Sequence, residues 1–121
     1  WLGVGEDGLA VRQWDAYEGQ DRGISAAAAL TKLLEKMARL GRQHLVTTTQ
    51  LLIAPGYEWR IVRGLVTNFH QPESTLLLLI ASLIGEDWRR VYTYALEHGF
   101  RFLSYGDGCL FLNPVVTETR A

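Results

Sequence analysis

A chain of 121 residues, 48% of them hydrophobic, can bury one real core but is too short for a large multidomain enzyme. With 12 basic and 13 acidic residues the net charge is −1, so the chain lacks the basic excess of a stand-alone nucleic-acid binder, and any RNA contact is local or supplied elsewhere. Its single cysteine, Cys109, excludes an internal disulfide and a multi-cysteine metal site and fits a reducing compartment, with the cytoplasm as the default.

Residues 1–23 mix five glycines with Asp7, Asp15, Glu18 and Asp21 and show no sustained period, which predicts an irregular connecting segment. Ser25 can cap a helix on which Leu30, Leu33, Leu34, Met37 and Leu40 recur at three- and four-residue spacing, with Lys32, Glu35, Lys36 and Arg39 opposite. Gly41 stops it. A strand over His44–Ile53 and a second over Glu58–Phe69 flank Ala54-Pro55-Gly56-Tyr57, where Pro then Gly suits a type II turn. So short a connection favours pairing the two as a hairpin.

Glu73 or Ser74 opens the next helix, whose Leu76–Leu79, Ile80, Leu83 and Ile84 are apolar nearly all round and predict a central place in the core. This run falls far short of the roughly 20 residues that span a bilayer, so no membrane span is expected. Gly85 ends it, an amphipathic helix follows over Asp87–His98, and Gly99 stops that one. Phe100–Leu103 and Cys109–Leu112 read as short strands around Ser104-Tyr105-Gly106-Asp107-Gly108, and the tail 114–121 is polar. The pattern predicts an α/β fold, a mixed β-sheet with packed helices spanning residues 24–113.

Polar side chains concentrate in two places. At Thr67-Asn68-Phe69-His70-Gln71-Pro72-Glu73-Ser74-Thr75 a strand delivers side chains to the start of a helix, whose unpaired N–H donors suit anionic or highly polar ligands. His70 can carry a proton near neutral pH, or simply pin the turn through backbone hydrogen bonds. Of Thr67 and Asn68, which alternate across the strand, Asn68 is the better ligand contact because its amide both donates and accepts, although both residue types also satisfy strand ends. Ser74 and Thr75 offer either a helix cap or an anion contact.

The second concentration is the turn. Asp107 between two glycines is a site carboxylate or a turn former, and Tyr105 stacks on a base or packs in the core. Cys109 sits in an apolar run where cysteines are usually buried and inert. No Gly-x-x-x-x-Gly-Lys phosphate loop, Gly-x-Gly-x-x-Gly fingerprint or metal-ligand spacing is present.

Taken in order, Pro55-Gly56-Tyr57, Leu65-Val66-Thr67-Asn68-Phe69-His70, Pro72, Ser74-Thr75-Leu76, Gly85 and Arg101-Phe102-Leu103-Ser104-Tyr105-Gly106-Asp107 resemble the C-terminal part of the S-adenosylmethionine:tRNA ribosyltransferase-isomerase (QueA) family of queuosine biosynthesis. The resemblance is strong from Gln50 to Leu112 and loose before it. Gln71 departs from it where an apolar residue is expected, and Gly108-Cys109 where Ala-Met is.

The resemblance implies a fragment of a larger catalytic domain, since family members are longer and this chain opens on Trp1. It implies a cytoplasmic enzyme that moves the ribosyl part of S-adenosylmethionine to 7-aminomethyl-7-deazaguanine at the tRNA wobble position, giving epoxyqueuosine, adenine and methionine. S-adenosylmethionine is then a substrate, no cofactor is expected, and tRNA is the partner. His70 and Asp107 are the implied catalytic residues and Thr67, Asn68, Ser74, Thr75 and Tyr105 the substrate contacts. The alternatives are a non-catalytic nucleotide- or tRNA-binding module and a structural C-terminal lobe.

Overall fold

The computed structural model describes residues 10–18 and 23–113; residues 1–9 and 19–22 of the expected connecting segment, and the tail 114–121, lie outside the described residues. The chain divides into two compact units, Trp1–Leu52 and Ile53–Ala121.

In the first unit the expected irregular segment contains a strand, β1 (Ala10–Val11), and one helical turn, α1 (Asp15–Glu18). β1 pairs in parallel with β2 (Thr48–Thr49), and two further bonds, Gln50 N–H to Val11 O and Leu52 N–H to Gln13 O, carry the pairing onward. Asp15 is buried, and its carboxylate accepts from the Arg12 main-chain N–H at 2.7 Å and from Arg12 Nε at 3.1 Å. Between the strands runs α2 (Ala26–Arg39), with the Ser25 hydroxyl accepting from Ala28 N–H at its start, as its cap residue predicts. No residue of α2 is buried: Leu30 and Leu34 on its apolar stripe are largely exposed.

The second unit holds β3 (Gly64–Asn68), α3 (Thr75–Ile84), α4 (Asp87–Glu97) and β4 (Gly108–Leu112). The expected hairpin between His44–Ile53 and Glu58–Phe69 does not form. β2 pairs with β1, and β3 pairs antiparallel with β4, setting Leu65 opposite Phe111 and Thr67 opposite Cys109. The Pro55-Gly56 turn is nevertheless there, closed by Tyr57 N–H to Ala54 O at 3.0 Å with Gly56 at φ 99°, the left-handed value a type II turn needs. Nor is Phe100–Leu103 a strand: the Phe100 and Phe102 rings pack against Phe69, and the chain then bends at Leu103.

The core is Phe69, Leu77, Ile80, Leu83, Tyr92, Ala95 and Phe111, so one face of β3–β4 is closed by α3 and α4. Leu77, Ile80 and Leu83 lie at helical spacing and face inward, while Leu76 and Leu78 remain exposed, so α3 covers the core rather than running through it. Trp59 ties the preceding loop to α3 by donating from Nε1 to Ser82 Oγ at 3.1 Å. The opposite face of the ribbon carries Val66, Leu110 and Leu112, all exposed. The α/β class therefore holds, with parallel and antiparallel pairing divided between two small sheets instead of combined in one.

Candidate active site at the end of β3

Phe69 fixes the site. Its ring is buried at 2% exposure among Tyr92, Phe100 and Phe102, with centroids 5.3 to 5.6 Å away. Because side chains alternate along an extended chain, anchoring Phe69 inward sets Thr67 on the same face and turns Asn68 the other way.

His70 is held at two points. Its main-chain N–H donates to the Tyr92 hydroxyl at 3.0 Å, and its ring Nε2 lies 2.7 Å from Thr67 Oγ1. Thr67 Oγ1 is also 3.3 Å from Asn68 O. If the hydroxyl donates to that carbonyl it accepts from a protonated Nε2; if it donates to Nε2, the ring carries its proton on Nδ1. Nδ1 has no hydrogen-bond partner among the described residues, which leaves one ring nitrogen for a ligand. Burial raises the Tyr92 phenol above its ordinary value, against the opposing effect of the His70 N–H, so the phenol stays neutral and keeps its own proton to donate.

Asn68 binds the turn. Its amide nitrogen donates to Gly106 O at 3.4 Å and to Asp107 O at 3.5 Å. The turn is further closed by Gly106 N–H to Leu103 O, Asp107 N–H to Arg101 O and Leu103 N–H to Phe69 O, at 2.9, 2.9 and 2.8 Å. Gly106 is required by space: a Cβ there would sit 2.4 Å from Arg101 O. Leu103 adopts φ 70°, a left-handed conformation that costs a branched side chain of order 1–3 kcal/mol and persists only where neighbours over-determine it.

The Asp107 carboxylate faces Arg101. It accepts from the Arg101 main-chain N–H at 2.7 Å and from the guanidinium at 3.3 Å, and these contacts, the main-chain bond first, hold its pKa below the ordinary value. Asp107 is therefore ionised at neutral pH and has no proton to give; what it can offer a ligand is negative charge.

The structure thus brings Thr67 to His70, and Asn68 to the main chain of Gly106 and Asp107. Ser74 caps α3, accepting from Leu76 N–H at 3.2 Å, and Thr75 is the first helical residue; no hydrogen bond joins either to His70 or Asp107 among the described residues. Tyr105 stands out from the turn, wholly exposed, and is not a core residue. Cys109 donates to Thr67 O at 3.3 Å, and burial pushes its thiol up, away from the thiolate a nucleophile requires.

Two positioning residues escape a sequence-level argument. Tyr92 reads only as part of the apolar face of α4, and nothing in that pattern says its hydroxyl reaches β3. Arg101 gives a weak signal, as a cation six residues before Asp107.

The family model of queuosine biosynthesis proteins matches residues 10–111. The chain belongs to this family. S-adenosylmethionine:tRNA ribosyltransferase-isomerase of Ruegeria pomeroyi is 42% identical over 93 residues, which are 75% of this chain and 27% of that protein. The enzyme of the same name from Xanthobacter autotrophicus is 50% identical over 68 residues, 55% of this chain and 19% of its own, and that from Rubrobacter xylanophilus is 41% identical over 98 residues, 80% and 29%. The chain spans about a quarter of the length of these curated relatives.

Among solved structures, S-adenosylmethionine tRNA ribosyltransferase from Thermotoga maritima superposes with a TM-score of 0.50 at 31% identity, covering 69% of this chain and 38% of that one. The resemblance to the family read from the sequence therefore holds for the chain. Among the described residues no helix is long and apolar enough to cross a membrane.

Proposed function

We propose that these residues form the C-terminal part of an S-adenosylmethionine:tRNA ribosyltransferase-isomerase. Such an enzyme transfers and isomerises the ribosyl group of S-adenosylmethionine onto the aminomethyl group of a 7-deazaguanine base at the tRNA wobble position, and releases adenine and methionine. The rest of a longer chain supplies the remaining contacts, S-adenosylmethionine is a substrate, no cofactor takes part, and the setting is the cytoplasm.

The observation that carries this reading, beside family membership, is the Thr67–His70 pair at the end of β3, with one ring nitrogen held at 2.7 Å and the other open. The reaction needs a base to remove a proton beside the sulfonium before the amine attacks the sugar, and His70, oriented by Thr67 and Tyr92, is the residue suited to carry it. Asp107 serves through its charge, facing the sulfonium, and not as an acid. Thr67, Asn68, Ser74, Thr75 and Tyr105 are the proposed substrate contacts.

One observation favours the structural-lobe alternative: Asp107 and Ser74 are both engaged by their own backbone surroundings, as turn clamp and helix cap. The deciding assay is tRNA-dependent release of adenine from S-adenosylmethionine by the protein its complete gene encodes. Loss of that release in His70→Ala, with the melting temperature kept, supports the enzyme; unchanged release favours the lobe.

A further inference from the structure

Thr67 Oγ1 stands between two partners of different kinds. His70 Nε2 lies 2.7 Å from it and Asn68 O lies 3.3 Å from it. A carbonyl oxygen only accepts, so the second contact is a hydrogen bond only when the hydroxyl gives it its single proton. The hydroxyl then has lone pairs left for the ring, and Nε2 is the nitrogen that carries hydrogen. One proton arrangement therefore satisfies all three groups: Nε2–H donates to Oγ1, and the hydroxyl donates to Asn68 O. The reverse arrangement, with the hydroxyl donating to Nε2, sets two oxygens side by side with no proton between them.

The groups in this relay are held in place. Thr67 pairs with Cys109 across the ribbon, and its own carbonyl accepts from the Cys109 thiol at 3.3 Å. Its branched Cβ restricts rotation about χ1. The main chain of His70 is fixed in turn by donating to the Tyr92 hydroxyl at 3.0 Å. Tyr92 on α4 and Cys109 on β4 are the titratable side chains that contact the pair among the described residues. Burial raises both above their ordinary values, so both are neutral at neutral pH and neither sets a charge beside the ring.

We propose that Thr67 is a positioning residue that keeps the hydrogen of neutral His70 on Nε2, so that Nδ1 is the nitrogen that takes the proton. In that step the C–H bond beside the sulfonium breaks, its electron pair stays on carbon, and the proton joins the Nδ1 lone pair. The imidazolium keeps its Nε2–H bond to Oγ1, so the threonine does not turn during the transfer. The role of His70 as base rests on the transferase reading above; the choice of nitrogen rests on the two contacts of Oγ1. A second lone pair on that oxygen leaves the substrate contact proposed for Thr67 available.

The test uses the protein encoded by the complete gene, with its histidines labelled with nitrogen-15, beside Thr67→Val, Thr67→Ser and His70→Ala. At a pH where the ring is neutral, NMR correlations show which nitrogen carries hydrogen and how fast that hydrogen exchanges with water. The signal absent from His70→Ala identifies the ring. The parent is expected to carry the hydrogen on Nε2. Thr67→Val, similar in shape but without the hydroxyl, should speed its exchange roughly tenfold and slow the turnover of adenine release by a similar factor. Thr67→Ser, which keeps the hydroxyl, should stay within about threefold of the parent in both.

A parent ring with its hydrogen on Nδ1, exchange unchanged in Thr67→Val, turnover kept by Thr67→Val where His70→Ala loses it, or Thr67→Ser as impaired as Thr67→Val would each overturn the assignment. The parent ring decides the nitrogen even if Thr67→Val does not fold. Adenine release by His70→Ala separates the two proposals. Parent-like release, with hydrogen on Nε2 and its exchange dependent on Thr67, removes only the base, whereas lost release with hydrogen on Nδ1 removes only the positioning role.

Discussion

The two units use apolar residues in opposite ways. α2 in the first has a regular stripe of leucines and no buried residue, whereas the second closes Phe69, Ile80, Tyr92 and Phe111 into a core. Periodicity alone does not tell these apart; what differs is whether another element among the described residues of the unit covers the stripe. Polar chemistry lies beside the core: the buried Phe69 accepts from Leu103 N–H at the start of the turn, and His70 is held by the core residue Tyr92 and by Thr67.

The contrast is broken most directly by truncation. Ile80→Ala, at a position of 0% exposure, should cost about 2–5 kcal/mol by denaturant unfolding. Leu34→Ala on α2, where the side chain is 67% exposed, should stay within about 0.5 kcal/mol. Equal losses at the two positions would mean that α2 is as much part of a core as α3.

Gly106→Ala sharpens the contrast at the site. Its new Cβ meets Arg101 O at 2.4 Å, so the turn must open, and about 1–3 kcal/mol should be lost in thermal unfolding. A variant as stable as the parent would show the clamp to be loose. Tyr92→Phe removes one hydroxyl and leaves the His70 N–H without its partner, for about 1 kcal/mol. Amide exchange at His70 should quicken in that variant; an unaltered rate would mean Tyr92 does not hold it.

The smallest effect is the pH dependence of the Asp107 clamp. Its folded pKa lies below the ordinary value of 3.8, so the clamp's contribution is complete above that value and disappears as pH falls through the lower, folded one. Acid titration of the parent against Asp107→Asn should therefore show curves that converge only below the ordinary carboxylate range. Curves already merged at neutral pH would mean the carboxylate contributes nothing.

Local signals carried much of the fold. Ser25 caps the helix it was expected to cap, Ser74 takes the cap position of its two open readings, α4 runs as its amphipathic pattern predicts, and Pro55-Gly56 makes its turn, because caps and turns are decided by adjacent residues. Strand partners were not legible. A run such as Gly64–Asn68 shows that it is extended but not with what it pairs, and the choice of β4, some forty residues on, depends on bringing Phe111 and Leu65 to one core.

Phe100–Leu103 misled for the same reason, since aromatic alternation suits a strand equally well as two rings reaching one buried phenylalanine. At the site, the polar positions were visible as a sequence motif. The bond of Thr67 to His70 and the grip of Tyr92 and Arg101 were not, because they join residues that only the core brings together.

The central claim is that His70 at the end of β3 carries the proton in a ribosyl transfer. It is tested by single-turnover adenine release from S-adenosylmethionine with substrate tRNA, comparing the full-gene protein with His70→Ala and with Cys109→Ser as the control. The account predicts a fall of about 10²-fold or more for His70→Ala at unchanged melting temperature, with Cys109→Ser near the parent rate. Parent-like release by a folded His70→Ala protein would contradict it and leave His70 as a residue that shapes the turn.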